Sequence, residues 1–279
     1  FRFIFAFATK IVIEAVTIFA VNWLGGGVMG WRLIAIIYAI VGVITNTYSV
    51  FSVKELPEEA FTEEETQEEK KENDLTFLQS FKVLLKNKYY VIICCSYILT
   101  QLYASVIGIG TYYTKYIMGD ETIFSTISLA INITMVLSLT VLPLVIKKMG
   151  GMYKLNIWGY VIAALGRVGV MVAGFAGNLP LLLAFTAVST IGIAPLQGDL
   201  NALIACCSEY TTLTTGHRLE GMMYSCSSLG IKLGGAFGTA ICGWLLAAAG
   251  YVENAAVQTA ATVNMLHFLY LWMPIILNA

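Results

Sequence analysis

The chain has 279 residues, 58% hydrophobic and only 12% charged, with a mean hydropathy of +0.78 and a formal net charge of −1. Soluble proteins carry about 25% charged residues. The composition therefore excludes a disordered chain, a collagen-like chain and a nucleic-acid partner, and it argues against a soluble enzyme. The six cysteines form no CxxC motif and lie in apolar runs, so we interpret them as packing residues rather than as disulfide or zinc ligands.

Apolar segments long enough to cross a bilayer follow one another along the chain. A membrane-spanning helix needs about 20 apolar residues to cross a hydrocarbon core of about 30 Å. In the long run 168–198, Gly174, Gly177, Asn178 and Pro180 indicate a turn that divides it into two helices. The sequence thus predicts an all-α membrane protein with eight transmembrane helices, at 3–24, 32–53, 89–117, 123–146, 155–175, 179–207, 221–249 and 258–277.

One long connection interrupts this series, at residues 54–88. It is charged and polar throughout, with ten acidic residues between Glu55 and Asp74, and it predicts a solvated linker that is partly helical around 75–85. Alternation of the spans places eleven of the sixteen Lys and Arg residues on the side of this linker, and only Arg32 and Lys115 on the other side. The positive-inside rule then predicts that the linker is cytoplasmic.

Several predicted spans carry polar side chains, which should face a cavity or another helix because lipid makes them costly. In the seventh helix, Tyr224 and Lys232 share one face, and Lys232 lies near mid-membrane, about 16 Å from the helix start. We interpret Lys232 as functional rather than as one half of a structural ion pair. Amides and aromatic rings suit a sugar, so Gln101 and Gln197 are candidate sugar ligands, although the same groups also join helices.

Two further charges, Glu14 and Arg167, lie inside predicted spans, and a structural pair is the favoured interpretation for each. The sequence shows no phosphate-binding loop after a strand and no HExxH motif. His217 and His267 have no metal-ligand partners at useful spacing. We therefore expect neither an enzyme nor a metal site.

The segment 215–251 reads TGHRLEGMMYSCSSLGIKLGGAFGTAICGWLLAAAGY and resembles the signature of the glycoside–pentoside–hexuronide:cation symporters, the family of melibiose permease. Other pieces agree in order: GWRLIAIIYAIVGVI at 30–44, VKELPEE at 53–59, KNKYY at 86–90 and YYTKYIMGDE at 112–121. The resemblance spans essentially the whole chain. Its most specific part is TGxRxEGxxYS followed by Lys232.

This family has the major-facilitator architecture, with twelve helices in two six-helix bundles. The resemblance implies that the eight helices here are the fifth to twelfth: 1–53 holds the last two helices of the amino-terminal bundle, 54–88 is the cytoplasmic acidic linker, and 89–279 is the carboxy-terminal bundle. Because the chain opens at Phe1 without an initiator methionine, we expect a fragment that lacks helices one to four. The resemblance places the cation-site carboxylates in those helices, so no cation site is expected in this fragment.

The resemblance also implies roles for individual residues. Lys232 matches a family lysine near the sugar and cation sites, and Arg2 matches an arginine that opens the fifth family helix close to the sugar. Gln197 falls where melibiose permease has a cavity tryptophan. Ser227, Ser228 and Ile231 match the family's sugar-facing positions just before that lysine. Together with Gln101 and Tyr224 from the polar faces, the predicted substrate site comprises Lys232, Arg2, Ser227, Ser228, Ile231, Gln197, Gln101 and Tyr224.

The favoured function is symport of a sugar or glycoside with Na⁺ or H⁺ by alternating access, without any other cofactor. Arg218 and Glu220 match loop charges that tune gating. Two alternatives stay open: a carrier for another hydrophilic or amphipathic solute, including lipid, and a transport-incompetent structural fragment. The expected partners are a small sugar or glycoside and the lipid bilayer, and we expect a monomer in the cell membrane (plasma or inner membrane).

Overall fold

The computed structural model describes residues 2–52, 76–120, 122–253, 255 and 257–278; the side chains of Arg2, Phe3 and Ile18 lie outside this description. All regular structure in these residues is helical. Eight of the described helices are long and apolar enough to cross a membrane, which confirms the predicted class. The helices are α1 (Arg2–Trp23), α2 (Gly27–Ser52), a short α3 (Phe77–Lys86), α4 (Lys88–Met118), α5 (Thr122–Met149), α6 (Met152–Phe175), α7 (Leu179–Thr215), α8 (Glu220–Ala248) and α9 (Ala260–Asn278).

Two helices extend five or more residues beyond their predicted bounds at one end. Helix α2 begins at Gly27 rather than at 32, because Gly25, Gly26 and Gly27 adopt positive φ angles of 101°, 65° and 54° and turn the chain within a few residues. Helix α7 runs to Thr215 rather than to 207, and it ends where Gly216 adopts the left-handed conformation. The predicted loop after 207 is therefore much shorter than expected.

The carboxy-terminal part of the linker forms the helix that the sequence predicted around 75–85. Helix α3 starts after Thr76, whose backbone N–H donates to the Gln79 side chain at 3.0 Å, as in a capping box. Helix α4 starts at Lys88, directly after the N-cap residue Asn87. Residues 53–75, which hold the acidic stretch, lie outside the described residues.

Asn87 joins the start of α4 to the end of α7. Its Oδ1 accepts hydrogen bonds from the backbone N–H groups of Tyr89 and Tyr90 at 3.1 and 3.2 Å. Its Nδ2 donates to Thr211 Oγ1 at 2.8 Å. At the other end of the bundle, the Tyr116 hydroxyl in α4 lies 3.2 Å from that of Tyr251, which follows α8. These contacts place the helix ends on the two sides that alternation of the spans predicts.

The carboxy-terminal bundle is held together by close helix pairs. Helix α6 packs along α7, α8 packs along α4, and α5 packs on α7 and receives α1. At the α6–α7 contact, a Cβ added to Gly159 would lie 2.6 Å from the Gly192 carbonyl oxygen. Small residues allow this approach, as in other membrane helix pairs. The same pairs of helices enclose the cavities described below.

Two helices contain a π-helical turn, Thr114–Met118 at the end of α4 and Phe268–Trp272 within α9. Tyr113, the residue before the first turn, stacks on Tyr270 of the second, with ring centroids 4.6 Å apart and an interplanar angle of 28°. Both tyrosines are fully buried. This aromatic contact fixes α4 against α9.

Candidate functional site

A cavity of about 360 Å³ lies between α4, α7 and α8. It brings together six of the residues that the sequence analysis singled out, together with five others that it did not assign to the site. The lining comprises Gln101, Gln197, Tyr224, Ser227, Ser228 and Ile231, and in addition Tyr97, Thr100, Leu200, Asn201 and Ile204. We call this space the central cavity.

One wall of the central cavity is a hydrogen-bonded group around Asn201. The Tyr97 hydroxyl donates to Asn201 Oδ1 at 3.0 Å, and the Tyr224 hydroxyl donates to the Asn201 carbonyl oxygen at 3.1 Å. The bonds connect α4, α7 and α8. Two aromatic rings and an amide are thereby held in place at the cavity surface, as recognition of a small polar ligand requires.

The two predicted glutamines differ from this wall, because no described residue engages their amides. Gln101 and Gln197 are half-buried, and their side chains form no hydrogen bond with another described residue. Each amide offers one acceptor and two donors. Such groups at membrane depth are suited to the hydroxyls of a ligand, since they gain partners when it binds.

Ser227 and Ser228 lie next to each other on α8 but present different surfaces. The Ser227 hydroxyl donates to the Met223 carbonyl oxygen at 2.8 Å, and the Tyr90 hydroxyl donates to the same oxygen at 2.7 Å. Ser227 is only 3% exposed, whereas Ser228 is exposed. Ser227 is therefore bonded within α8, at the point where Tyr90 joins α4 to α8, and Ser228 presents the more exposed hydroxyl of the two.

The structure places Lys232 differently from the six residues above. Lys232 follows the cavity residue Ile231 on α8, is exposed, and makes no ion pair or hydrogen bond with the described part of the chain. Its side chain does not contribute to the cavity lining. The side chain of Arg2 lies outside the description.

The predicted gating residues occupy the short loop between α7 and α8 and the first turn of α8. Arg218 Nη2 lies 3.7 Å from Glu220 Oε2, and both side chains are more than 40% exposed. They line a separate cleft of about 400 Å³ together with Glu209 and Thr212 of α7. An exposed pair of this kind contributes little stability.

A second cavity of about 360 Å³ lies beside the central cavity, between α1, α4, α5, α6 and α7, and it contains charged residues. Glu14 accepts hydrogen bonds from Ser128 Oγ at 3.1 Å and from Asn132 Nδ2 at 2.9 Å, and it lies 3.7 Å from Lys10 Nζ. These contacts supply the structural partners that the sequence could not name for Glu14. We call this space the charged cavity.

Arg167 also lines the charged cavity, but the structural pair expected for it is not found among the described residues. Its guanidinium carbon lies 5.0 Å from the centroid of the Tyr103 ring, a cation–π contact. The side chain is 3% exposed. Thr100 and Gln197 belong to the linings of both cavities, so the charged cavity adjoins the central cavity at these two residues.

Sequence reasoning missed Tyr97 and Thr100 as cavity residues. Tyr97 lies one helical turn before Gln101, so an extension of the polar face of α4 by four residues would have included it. Thr100 is the preceding neighbour of Gln101 and carries no distinguishing pattern. Its hydroxyl donates to the Ser96 carbonyl oxygen at 2.7 Å within its own helix.

Comparison with known proteins gives a consistent result. The sequence matches the family described as MFS/sugar transport protein over residues 1–279. It is 27% identical to the isoprimeverose transporter of Lactiplantibacillus pentosus, covering 95% of this chain and 54% of that protein. It is 26% identical to the raffinose carrier protein of Pediococcus pentosaceus (86% and 36% covered) and 27% identical to the glucuronide carrier protein homolog of Escherichia coli K12 (66% and 40% covered). The chain thus spans about half the length of the isoprimeverose transporter, and less of the other two.

Proposed function

Because the chain belongs to the MFS/sugar transport family, as its resemblance to the glycoside–pentoside–hexuronide:cation symporters predicted, we propose that it forms part of a secondary active transporter for a sugar or glycoside. The protein is a multi-pass membrane protein of a transporter family and not an enzyme. The proposed mechanism is alternating access, in which two bundles rock about a site near the middle of the membrane.

The observation that carries the proposal is the central cavity. Its size of about 360 Å³ suits a small sugar. Gln101 and Gln197 offer unengaged amides to the hydroxyls, and the Tyr97 and Tyr224 rings are suited to the apolar faces of a pyranose. Relatives named as an isoprimeverose transporter and as a raffinose carrier support a glycoside as the substrate.

Within this function we propose substrate-binding roles for the predicted set. Gln101, Gln197, Tyr224, Ser228 and Ile231 would contact the sugar directly in the central cavity. Lys232 and Arg2 would complete the site from its side that faces the other bundle. Ser227 would act through the position of α8, because its hydroxyl lies 3.3 Å from the Tyr90 hydroxyl of α4.

Coupling to Na⁺ or H⁺ is part of the proposal, with no other cofactor. A cation gradient drives uptake if bound cation and bound sugar stabilise each other. We propose that Arg218 and Glu220 tune the opening of the cytoplasmic side, where their exposed 3.7 Å pair can exchange for contacts with the other bundle. The transporter is proposed to be a monomer in the cell membrane with residues 54–88 in the cytoplasm.

Uptake by the purified full-length protein in proteoliposomes tests this function. A panel of neutral and acidic glycosides would be offered with an inward Na⁺ gradient, with an inward H⁺ gradient, and with each gradient collapsed by an ionophore. We expect accumulation of at least one glycoside that disappears when one of the two gradients is collapsed. Absence of gradient-dependent uptake across the panel would contradict the proposed function.

A further inference from the structure

The charged cavity carries an excess of positive charge among its described lining residues. Lys10 and Arg167 contribute two cations and Glu14 one carboxylate. Glu14 already accepts from Ser128 and Asn132 and lies 3.7 Å from Lys10. The charge that remains uncompensated is therefore that of Arg167.

Arg167 is a buried cation without an anionic partner in the described part of the chain. Its side chain is 3% exposed, and its Nε is buried with no hydrogen-bond acceptor. The hydroxyl of Tyr103, the residue whose ring contacts the guanidinium, is buried and unpartnered as well. A buried charge without a partner is strongly unfavourable, and within a membrane it marks a functional site.

The chemistry of these groups selects an anion. Arginine presents five N–H donors in a planar fork and no acceptor, and it matches the two oxygens of a carboxylate or sulfonate. The Tyr103 hydroxyl can donate to the same anion. Asn132 Oδ1, the third unpartnered buried atom in this lining, is an acceptor and suits a neighbouring sugar hydroxyl.

The position of the cavity connects this anion to the sugar. Thr100 and Gln197 line both cavities, and Gln197 and Arg167 line the charged cavity together, so one ligand can contact both side chains. From these observations, and building on the proposed function, we propose that Arg167 determines specificity by binding the acidic group of a glycoside that carries a carboxylate or sulfonate.

A binding experiment with purified full-length protein tests the proposal. The probes are methyl β-D-glucuronide and methyl β-D-glucoside, which differ in one acidic group, and the methyl glycoside of 6-deoxy-6-sulfoglucose, which replaces the carboxylate by a sulfonate. We expect the protein to bind at least one acidic probe about tenfold or more tightly than the neutral glucoside, since a charge-assisted bidentate contact has this magnitude. Which acidic probe binds better identifies the anion.

Arg167→Gln should remove that preference, so that the acidic probe weakens about tenfold while the affinity for the neutral glucoside changes less than twofold. Arg167→Lys retains the positive charge but lacks the planar guanidinium, so it should keep part of the preference for the acidic probe. This variant replaces Arg167→Gln in the experiment if the glutamine variant does not fold. The matched control is Arg32→Gln, which makes the same change at an exposed arginine of α2, outside both cavities.

Equal binding of acidic and neutral probes by the unmodified protein would overturn the assignment and leave sugar transport standing. That result is expected if Arg167 is compensated by a carboxylate elsewhere in the full-length protein. An equal loss for all probes in Arg167→Gln would also overturn it, since it would assign Arg167 a structural role. Failure of every sugar to bind would instead contradict the proposed function, and the specificity assignment with it.

Discussion

Gly238 of α8 faces Ser105 of α4 so closely that a Cβ on the glycine would lie 2.7 Å from the serine Oγ. One turn earlier, a Cβ on Gly234 would lie 2.9 Å from the Ile98 carbonyl oxygen. The Ser105 hydroxyl donates across the same contact to the Gly235 carbonyl oxygen at 3.2 Å. The small-xxx-small spacing of Gly234 and Gly238 is therefore a helix-packing surface, and it sets the separation of two walls of the central cavity.

Gly238→Val should separate α8 from α4 and destabilise the protein by about 1–3 kcal/mol, because an overpacked contact must shift its neighbours. The measurement is the thermal unfolding midpoint of the full-length protein in detergent. Gly243→Val is the matched control, since a Cβ at Gly243 has no neighbour within 4 Å. Equal midpoints for the two variants would show that the close contact does not constrain the bundle.

Asn87→Ala should lower the free energy of unfolding by about 1–3 kcal/mol, because it removes the cap of α4 and leaves the Thr211 hydroxyl without its donor. Asn87 is 6% exposed, so water cannot fully replace these bonds. Asn46→Ala, at an exposed position of α2, is the control and should change the unfolding midpoint little. Equal unfolding midpoints for Asn87→Ala and Asn46→Ala would contradict the stabilising role of Asn87.

Gln101→Ala and Gln197→Ala should each weaken binding of the transported sugar by about 2–10-fold, the loss expected for one neutral hydrogen bond. The unfolding midpoint should stay near that of the unmodified protein, since neither amide is bonded to a described residue. Isothermal titration with the best glycoside of the uptake panel measures the effect. Gln79→Ala on α3 lies outside the cavity lining and should leave affinity unchanged. Unaltered affinity in both cavity variants would remove the glutamines from the site.

Lys232→Ala should abolish coupled uptake while expression and membrane insertion stay near normal. An ammonium at mid-membrane costs about 2.5–3.5 kcal/mol on insertion scales, and Lys232 has no partner in the described chain that would repay this cost. Lys232→Arg should also abolish coupled uptake, because a planar guanidinium group does not replace a compact ammonium group. Lys82→Ala, an exposed lysine of α3, is the control. Uptake is normalised to folded protein, and a normal value in Lys232→Ala would assign the lysine a structural role.

A cysteine placed at Glu64 should react with an impermeant thiol reagent only after the cells are opened, because the positive-inside rule puts residues 54–88 in the cytoplasm. The background lacks the six native cysteines. Val257→Cys, 86% exposed in the connection between α8 and α9, should react in intact cells. Labelling of the Glu64 position from outside would reverse the proposed orientation.

The sequence was sufficient for the membrane class, the eight spans and six of the eleven residues that line the central cavity, because lipid imposes a simple rule on long apolar segments and polar residues stand out within them. The prediction was wrong at the end of α7, which it placed at 207 rather than at Thr215. The segment between these positions is rich in threonine, which is a weak helix former. In the structure, Thr211 and Thr212 donate to the Cys207 and Ser208 carbonyl oxygens one turn earlier, and the helix continues.

The charged cavity lay beyond sequence reasoning for a different reason. The partners of Glu14 are Ser128 and Asn132, which are more than one hundred positions away and on another helix. Periodicity gives the face on which a residue lies, but not which helix covers that face. The same limit applies to Arg167: the pattern favoured an ion pair, whereas the fold surrounds the guanidinium with an aromatic ring and a cavity.

Each π-helical turn, in α4 and in α9, fixes the rotation of the helix segment that follows it about the helix axis. A π turn holds one extra residue, so removal of a residue from it restores α geometry and rotates everything beyond it by about 100°. In α9 such a deletion within Phe268–Trp272 would rotate the final segment, Met273–Asn278, by about 100°, so that a different set of its side chains would face the bundle. A gap of one position here in an alignment of related sequences would thus indicate a rotated helix end with a different inner surface.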